Sequence, residues 1–263
     1  MLQVPFADPV FLELGPLKLH WYGLMYVCAF IGFLLLGKYR ARQQAWHQIN
    51  ASQVDDLLFW GALGVIIGGR LGEVLFYHPE YYFSQPVRIF AVWQGGMSFH
   101  GGLLGVLLAV WLWGKRRSLT FLQVCDFIAP LVPLGLMFGR LGNFINGELW
   151  GRVTSAELPW AMVFTRADYL PRHPSPLYQA GAEGLLLFIC LWVFSRKQRA
   201  LGTVSAWFLI GYALLRLVAE FFREPDSGIF GFSYVFSMGQ WLSVPMLLLG
   251  MFLLFWPMSK PQQ

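Results

Sequence analysis

The sequence predicts an all-α polytopic membrane protein of about seven transmembrane helices, with the N-terminus outside, the C-terminus inside and a small extracytoplasmic head. Three observations predict it. Of 263 residues, 57% are hydrophobic and 13% charged, against roughly 45–50% and 25% in soluble domains. The apolar residues gather into about seven runs, several approaching the ~20 residues that cross a hydrocarbon core. Lys and Arg cluster after every second run, as the positive-inside bias requires.

The N-terminal segment MLQVPFADPVFLELGP has no basic region ahead of an apolar core and carries Asp8 and Glu13. It is therefore expected to be an extracytoplasmic arm over residues 1–18, not a cleaved signal peptide. The predicted spans lie near Trp21–Leu36, Val54–Phe76, Phe99–Trp113, Phe121–Phe138, Leu177–Phe194, Thr203–Phe222 and Gln240–Trp256. The first is followed by Lys38, Arg40 and Arg42, and the third by Lys115, Arg116 and Arg117. Arg196, Lys197 and Arg199 follow the fifth, and Lys260 the seventh, so these ends are assigned to the cytoplasm. Gly64, Gly68 and Gly72 recur every four residues, and Gly101 and Gly105 do the same, which lets helices approach closely. Pro130 and Pro133 should kink the fourth span. The outside connections Tyr77–Met97 and Gly139–Ser175 are long and aromatic-rich, the character of functional loops. The strand-like Trp160–Phe164 suggests that residues 139–175 build the head, on a single transmembrane domain covering 1–263.

The net charge of +5 is spread over short clusters between apolar runs, which argues against nucleic acid as a partner. Cys28, Cys125 and Cys190 all lie in apolar runs without metal-ligand or CxxC spacing, so neither a disulfide nor a metal site is expected.

Charges inside the hydrocarbon cost roughly 2.5–3.5 kcal/mol each on insertion scales and therefore ask for a reason. Arg70, Arg140 and Arg216 sit near the predicted outer ends of the second, fourth and sixth spans, the first two within the same tetrapeptide GRLG. A single arginine at a helix C-terminus is explained by the macrodipole or by snorkelling. Three at matching depth are explained better by a shared ligand. Arg216, Glu220 and Arg223, spaced four and three apart, share one helix face. His20, Tyr22, His100 and His173 fall at the same predicted level, His100 beside Gly101 and Gly102. Asp126, deeper and toward the inner half, reads as a structural partner. Guanidinium groups bind phosphate bidentately and stay charged when partly dehydrated, so an anionic phospholipid of the outer leaflet is the natural ligand.

Several motifs make this more specific. GRLGNFINGELWGR at Gly139–Arg152 resembles the signature of the prolipoprotein diacylglyceryl transferase family. HWYGLMY at His20–Tyr26, GGMSFHGG at Gly95–Gly102, RHPSPLYQ at Arg172–Gln179, GYALLRLVAEFFREPD at Gly211–Asp226 and SMGQWLS at Ser237–Ser243 resemble it too, in family order. The resemblance implies an enzyme of the bacterial inner membrane, multi-pass, with its active site toward the outer leaflet. It implies transfer of diacylglycerol from phosphatidylglycerol to the lipobox cysteine of a prolipoprotein signal peptide, with release of glycerol phosphate and no cofactor.

Within that frame Arg140 is expected to hold the phosphate and stabilise the departing charge, and Arg216 to add a contact while held by Glu220. A cysteine thiol has a reference pKa of about 8.5 and reacts as thiolate. His100 is the candidate base, and arginine-assisted thiolate formation is the rival. Tyr22, Asn143, Asn146 and Glu148 are expected to bind headgroup hydroxyls or orient the arginines, and Gly151 to serve backbone geometry. Tyr212 and Arg223 complete the expected substrate-binding set. A transporter or flippase would instead place polar groups toward the midplane and show an inverted repeat. A phosphatidyl- or acyltransferase would use the same lipid with another acceptor.

Overall fold

The computed structural model describes residues 2–3, 10–15, 17–225 and 237–255. Asp8, Asp226, Trp256 and Lys260, which entered the reading above, lie outside them. Helices dominate: α1 (Trp21–Gln43), α2 (Ala51–Tyr77), α3 (Pro79–Ser84), α4 (Phe99–Lys115), α5 (Phe121–Ile128), α6 (Val132–Ile145), α7 (Ser175–Phe194), α8 (Thr203–Glu220) and α9 (Met238–Phe255). Five of these, α1, α2, α7, α8 and α9, are long and apolar enough to cross a membrane. The pair α5 and α6, bent by 51° at the break, makes a sixth if counted as one span. The bend falls at Pro130 and Pro133, where the missing amide hydrogens break the helical ladder. Helix α4 is apolar but shorter, at 17 residues. Leu35, Phe59, Leu104 and Phe255 are exposed, the apolar exterior of a membrane protein.

Among the described residues two small sheets accompany the helices, an addition to the all-α expectation. Strands β2 (Val10–Leu14) and β3 (Leu17–His20) form an antiparallel hairpin that leads into α1. Its turn contains Gly15 at φ +61°, a left-handed conformation that glycine adopts without a Cβ clash. Strands β1 (Leu2–Gln3), β4 (Met162–Val163) and β5 (Pro171–Arg172) form the other sheet, β4 central, parallel to β1 and antiparallel to β5. The strand expected within Trp160–Phe164 is β4.

The chain divides into two units, Met1–Leu36 with Ile128–Gln263, and Gly37–Phe127. In the second unit α2 and α4 meet along their glycines. A Cβ on Gly68 would collide with the Gly101 carbonyl oxygen, and one on Gly105 with that of Gly64. Lipid tails are as apolar as side chains, so such close backbone contact, rather than hydrophobic burial, drives helix association in a membrane. The Asn50 side chain caps α2 by accepting from the Gln53 amide at 3.0 Å, and Gln53 Oε1 accepts from the Asn50 amide at 2.9 Å. At the other end Arg70 is buried and donates to the carbonyls of Arg88, Ile89, Ala91, Gly95 and Gly96. Its guanidinium gathers the loop that follows α3. The Arg70 side chain is thus a loop brace, which separates it from the two other arginines of the sequence pattern. Arg40, likewise buried, donates to the Asp126 carbonyl at 3.2 Å and lies 3.0 Å from His47 Nε2. Burial and the neighbouring Arg40 cation push the His47 imidazole down to about 3, so it stays neutral.

Candidate active site

In the first unit, three helical segments bring ionised side chains to one place. Helix α6 ends in the GRLG turn that presents Arg140. Helix α7 carries Glu183 within Ala180–Leu186, where the hydrogen bonding widens to the π pattern. Such widened turns occur often at functional sites because they rotate one side chain out of the regular register. Gly184 next to it permits close approach to α6, since a Cβ there would lie 2.5 Å from Met137 Cβ. Helix α8 supplies Arg216 and Glu220, and Arg223 follows its end.

The contacts form a chain. Arg223 Nη1 donates to Glu220 Oε1 at 2.9 Å, and Glu220 Oε2 lies 2.8 Å from Arg216 Nη2. Arg216 Nη1 donates to Glu183 Oε1 at 3.3 Å, and Glu183 Oε2 lies 4.0 Å from Arg140 Nη2. Both carboxylates are buried, Glu183 completely. Two paired arginines on a shared carboxylate offset the desolvation that would make either charge costly alone. Arg140 differs. Among the described residues its guanidinium makes no hydrogen bond, its one ion-pair contact is that 4.0 Å approach, and 19% of its side chain is exposed. Its planar donors are therefore available to an incoming anion. Tyr212 on α8 lies within electrostatic reach of Arg140, Arg216, Glu183 and Glu220.

The residues after α6 turn back sharply to form a second polar group. Gly147 at φ +65° and Leu149 at φ 54° both take the left-handed conformation, unusual for leucine and a feature concentrated at functional turns. This turn places the Glu148 carboxylate to accept from Asn143 Nδ2 at 3.2 Å and from Asn146 Nδ2 at 3.3 Å. Tyr22 at the start of α1 lies against Gly142, where a Cβ would come within 2.7 Å of its ring, and within electrostatic reach of Glu148 and Arg140.

Gly151 then stitches this turn to its surroundings. Its amide donates to the His173 carbonyl at 3.0 Å, its carbonyl accepts from Arg172 Nη1 at 2.8 Å, and it bridges to Arg223. A Cβ on Gly151 would collide with the His173 oxygen and lie 2.6 Å from that of Phe222, so no other residue fits unchanged. Arg172 also grips Asp168 through Nε at 3.0 Å and Nη2 at 2.7 Å, and this pairing holds the Asp168 carboxyl below the usual range.

The family model described as prolipoprotein diacylglyceryl transferase matches residues 9–256. The chain belongs to the prolipoprotein diacylglyceryl transferase family. It is 59% identical over 251 residues to a Dechloromonas aromatica protein named phosphatidylglycerol–prolipoprotein diacylglyceryl transferase, covering 95% of each chain. A protein of that name from Aromatoleum aromaticum is 60% identical over 255 residues, with 97% of both chains covered. Another from an Azoarcus species is 61% identical over 255 residues, covering 97% of this chain and 96% of the relative.

The segments that resemble this transferase family are those that carry the cluster. Arg140, Arg216, Glu220, Arg223 and Tyr212 are brought together, and Tyr22, Asn143, Asn146, Glu148 and Gly151 line the adjoining turn. His100 belongs to the other unit, in the first turn of α4, its ring edge-on to Phe99 with centroids 5.7 Å apart. Two residues were missed by sequence reasoning. Glu183 is the only ionisable acidic or basic side chain between Leu177 and Phe194, a signal that was available. Arg172 is part of the RHPS motif, but nothing in its spacing announces that it would hold the Gly151 carbonyl.

Proposed function

We propose that the chain transfers the diacylglyceryl group of phosphatidylglycerol to the lipobox cysteine of a prolipoprotein, releasing glycerol phosphate, as the first step of bacterial lipoprotein maturation. The chain is a membrane transferase by family. The observation that carries the substrate reading is Arg140, a largely buried guanidinium with unused donors beside a cluster of otherwise paired charges. A phosphodiester monoanion satisfies those donors in a planar, bidentate contact.

The reaction follows. The cysteine sulfur forms a bond to the glyceryl carbon while the carbon–oxygen bond to phosphate breaks, the electron pair remaining on the phosphate oxygen. Negative charge grows on the phosphate as it leaves, and Arg140 stabilises that growth. Arg216, fixed between Glu183 and Glu220, holds the field around it. Tyr22, Asn143, Asn146 and Glu148 receive the headgroup hydroxyls or orient the arginine, with Tyr212 and Arg223 completing the binding set. His100 takes the thiol proton, an assignment that rests on its residue type and flanking glycines. Seven spans with the N-terminus outside, in the inner membrane, would put this chemistry at the outer leaflet, an arrangement supported by the distribution of Lys and Arg.

The test is purified protein with labelled phosphatidylglycerol and a lipobox peptide. Lipidated peptide and free glycerol phosphate are expected in equal amounts. Arg140→Ala should lower the rate by about 10²–10³-fold; near-normal transfer would remove its phosphate role. His100→Gln should lose rate and the ascending limb of the pH profile. An unchanged profile would assign thiolate formation to the arginines instead.

A further inference from the structure

The segment SMGQWLS, Ser237–Ser243, contains no charged side chain, yet its glycine lies against the ion pair of α8. Ser237, Gln240 and Ser243 are buried, and all three side chains bond to the backbone of this turn. Gln240 Oε1 accepts from the Ser237 amide at 3.0 Å, and Ser237 Oγ accepts from the Gln240 amide at 3.2 Å, the reciprocal bonds of a capping box. Ser243 Oγ donates to the Gly239 carbonyl at 2.7 Å. Together these bonds fix the backbone around Gly239. A Cβ on that residue would lie 2.8 Å from Glu220 Oε2, 2.9 Å from Glu220 Cδ and 3.0 Å from Arg216 Nε. Glu220 Oε2 is the oxygen that pairs with Arg216 Nη2 at 2.8 Å. Ordinary contact begins at 3.4 Å, so an added methyl would drive the carboxylate back by several tenths of an ångström. Gly250, further along α9, differs. Its Cβ would lie 2.7 Å from Ile210 Cγ1, 3.0 Å from the Ala206 carbonyl oxygen and 3.2 Å from the Ile210 amide nitrogen. A methyl at Gly250 presses on the backbone of α8, whereas one at Gly239 presses first on the ends of two charged side chains.

We propose that Gly239 is a positioning residue for the transfer reaction, a bare piece of backbone that seats the Arg216–Glu220 pair. This rests on the reading of the Arg140 cluster as the phosphate site. Glu220 also accepts from Arg223 Nη1 at 2.9 Å through its other oxygen, and Arg216 Nη1 donates to Glu183 at 3.3 Å. A displaced Glu220 carboxylate therefore pulls on Arg216 and Arg223 together. Arg216 in turn pulls on the Glu183 carboxylate that approaches Arg140. Groups that stabilise a departing phosphate do so only while held within about 0.5 Å of the productive geometry. The lipid still meets the donors of Arg140, so the loss falls on the chemical step and not on lipid binding.

The experiment compares Gly239→Ala and Gly250→Ala in purified, detergent-solubilised protein, by peptide lipidation at varied phosphatidylglycerol and by thermal unfolding. Gly239→Ala should lower kcat by about tenfold or more, with the KM for lipid moved less than about threefold and the thermal midpoint unchanged or slightly raised. Gly250→Ala should do the reverse, losing several degrees of midpoint through over-packing while kcat per folded molecule stays within about twofold. Glu220→Asp withdraws the carboxylate by one methylene and should itself slow transfer. In that background Gly239→Ala should cost less than about threefold more, because the two changes act through one contact. A Gly239→Ala protein with near-normal kcat, or with its loss confined to KM, would overturn the assignment. So would a fall in its midpoint as large as that of Gly250→Ala, since the collision would then lie in the fold. Arg140→Ala supplies the separate arm. If it transfers as the wild type does, the reading of the cluster fails and the role of Gly239 with it. If it is slow while Gly239→Ala is normal, only the role of Gly239 fails.

Discussion

At the scale of single residues, the polar side chains differ in how completely their hydrogen-bonding groups are used. Arg70 and Arg140 occupy the same tetrapeptide in sequence, yet one spends its guanidinium on five backbone carbonyls and the other keeps its donors open. That difference was not legible in the sequence, because the carbonyls Arg70 collects come from a loop 18 to 26 residues away. Glu183 was legible as an anomaly, a carboxylate in an apolar run, though its partners were not. His173 shows how a side chain's ionisation enters the same network. Burial lowers its basicity. Its Nδ1 lies 3.1 Å from the Tyr178 hydroxyl, which accepts from Trp160 Nε1 at 2.8 Å, so a neutral ring lets Tyr178 donate onward. A histidine whose folded pKa is depressed contributes stability that is full above its unfolded value, about 6.5. That contribution is lost as pH falls from there through the folded value. Backbone amides of residues 150–178 should therefore lose hydrogen-exchange protection between pH 7.5 and 5.5, after correction for intrinsic rates. The loss should be absent in His173→Gln. Equal protection at both pH values would contradict the role given to this ring.

At the scale of elements, the helices were readable because each depends on an apolar run, and the prolines marked the bend between α5 and α6. The hairpin of β2 and β3 was read only as an arm, since its strands of five and four residues give too short an alternation to distinguish from an apolar loop. The spacing of Gly64, Gly68 and Gly72 announced a contact face, and the structure supplies its partner in Gly101 and Gly105. Over-packing that seam is expected to cost about 1–3 kcal/mol. Gly68→Val should therefore lower the thermal midpoint of the detergent-solubilised protein by several degrees. Gly135→Ala, with open space at the Cβ position, should leave it unchanged or slightly raised, because alanine favours the helix. A Gly68→Val protein as stable as wild type would show that the two helices do not rely on backbone approach.

At the scale of the whole molecule, charge distribution carries the topology. Single cysteines replacing Lys38, Lys115 or Lys197 in a protein lacking its three native cysteines should resist a membrane-impermeant maleimide in intact spheroplasts. They should react once the membrane is opened. Cysteines at Lys18 or Glu157 should react in both cases. Labelling of the cysteine in Lys115→Cys from outside would reverse the assignment of α4 and, with it, the leaflet at which lipid is met. Resemblance in motif order across nearly the whole chain made the activity legible before the fold was. The turn at Gly147–Gly151 and its ties to His173, Arg172 and Arg223 needed coordinates, because backbone pairing between distant loops leaves no periodic trace in sequence.

The most direct measurement is dipolar recoupling between the phosphorus of phosphatidylglycerol and guanidinium nitrogens in protein labelled with ¹⁵N-arginine, in bilayers. Hydrogen bonding of the phosphate to Arg140 predicts a phosphorus–nitrogen separation of about 4 Å or less and its disappearance in Arg140→Lys. A signal that survives this substitution undiminished, or none in the wild-type protein saturated with lipid, would contradict the account.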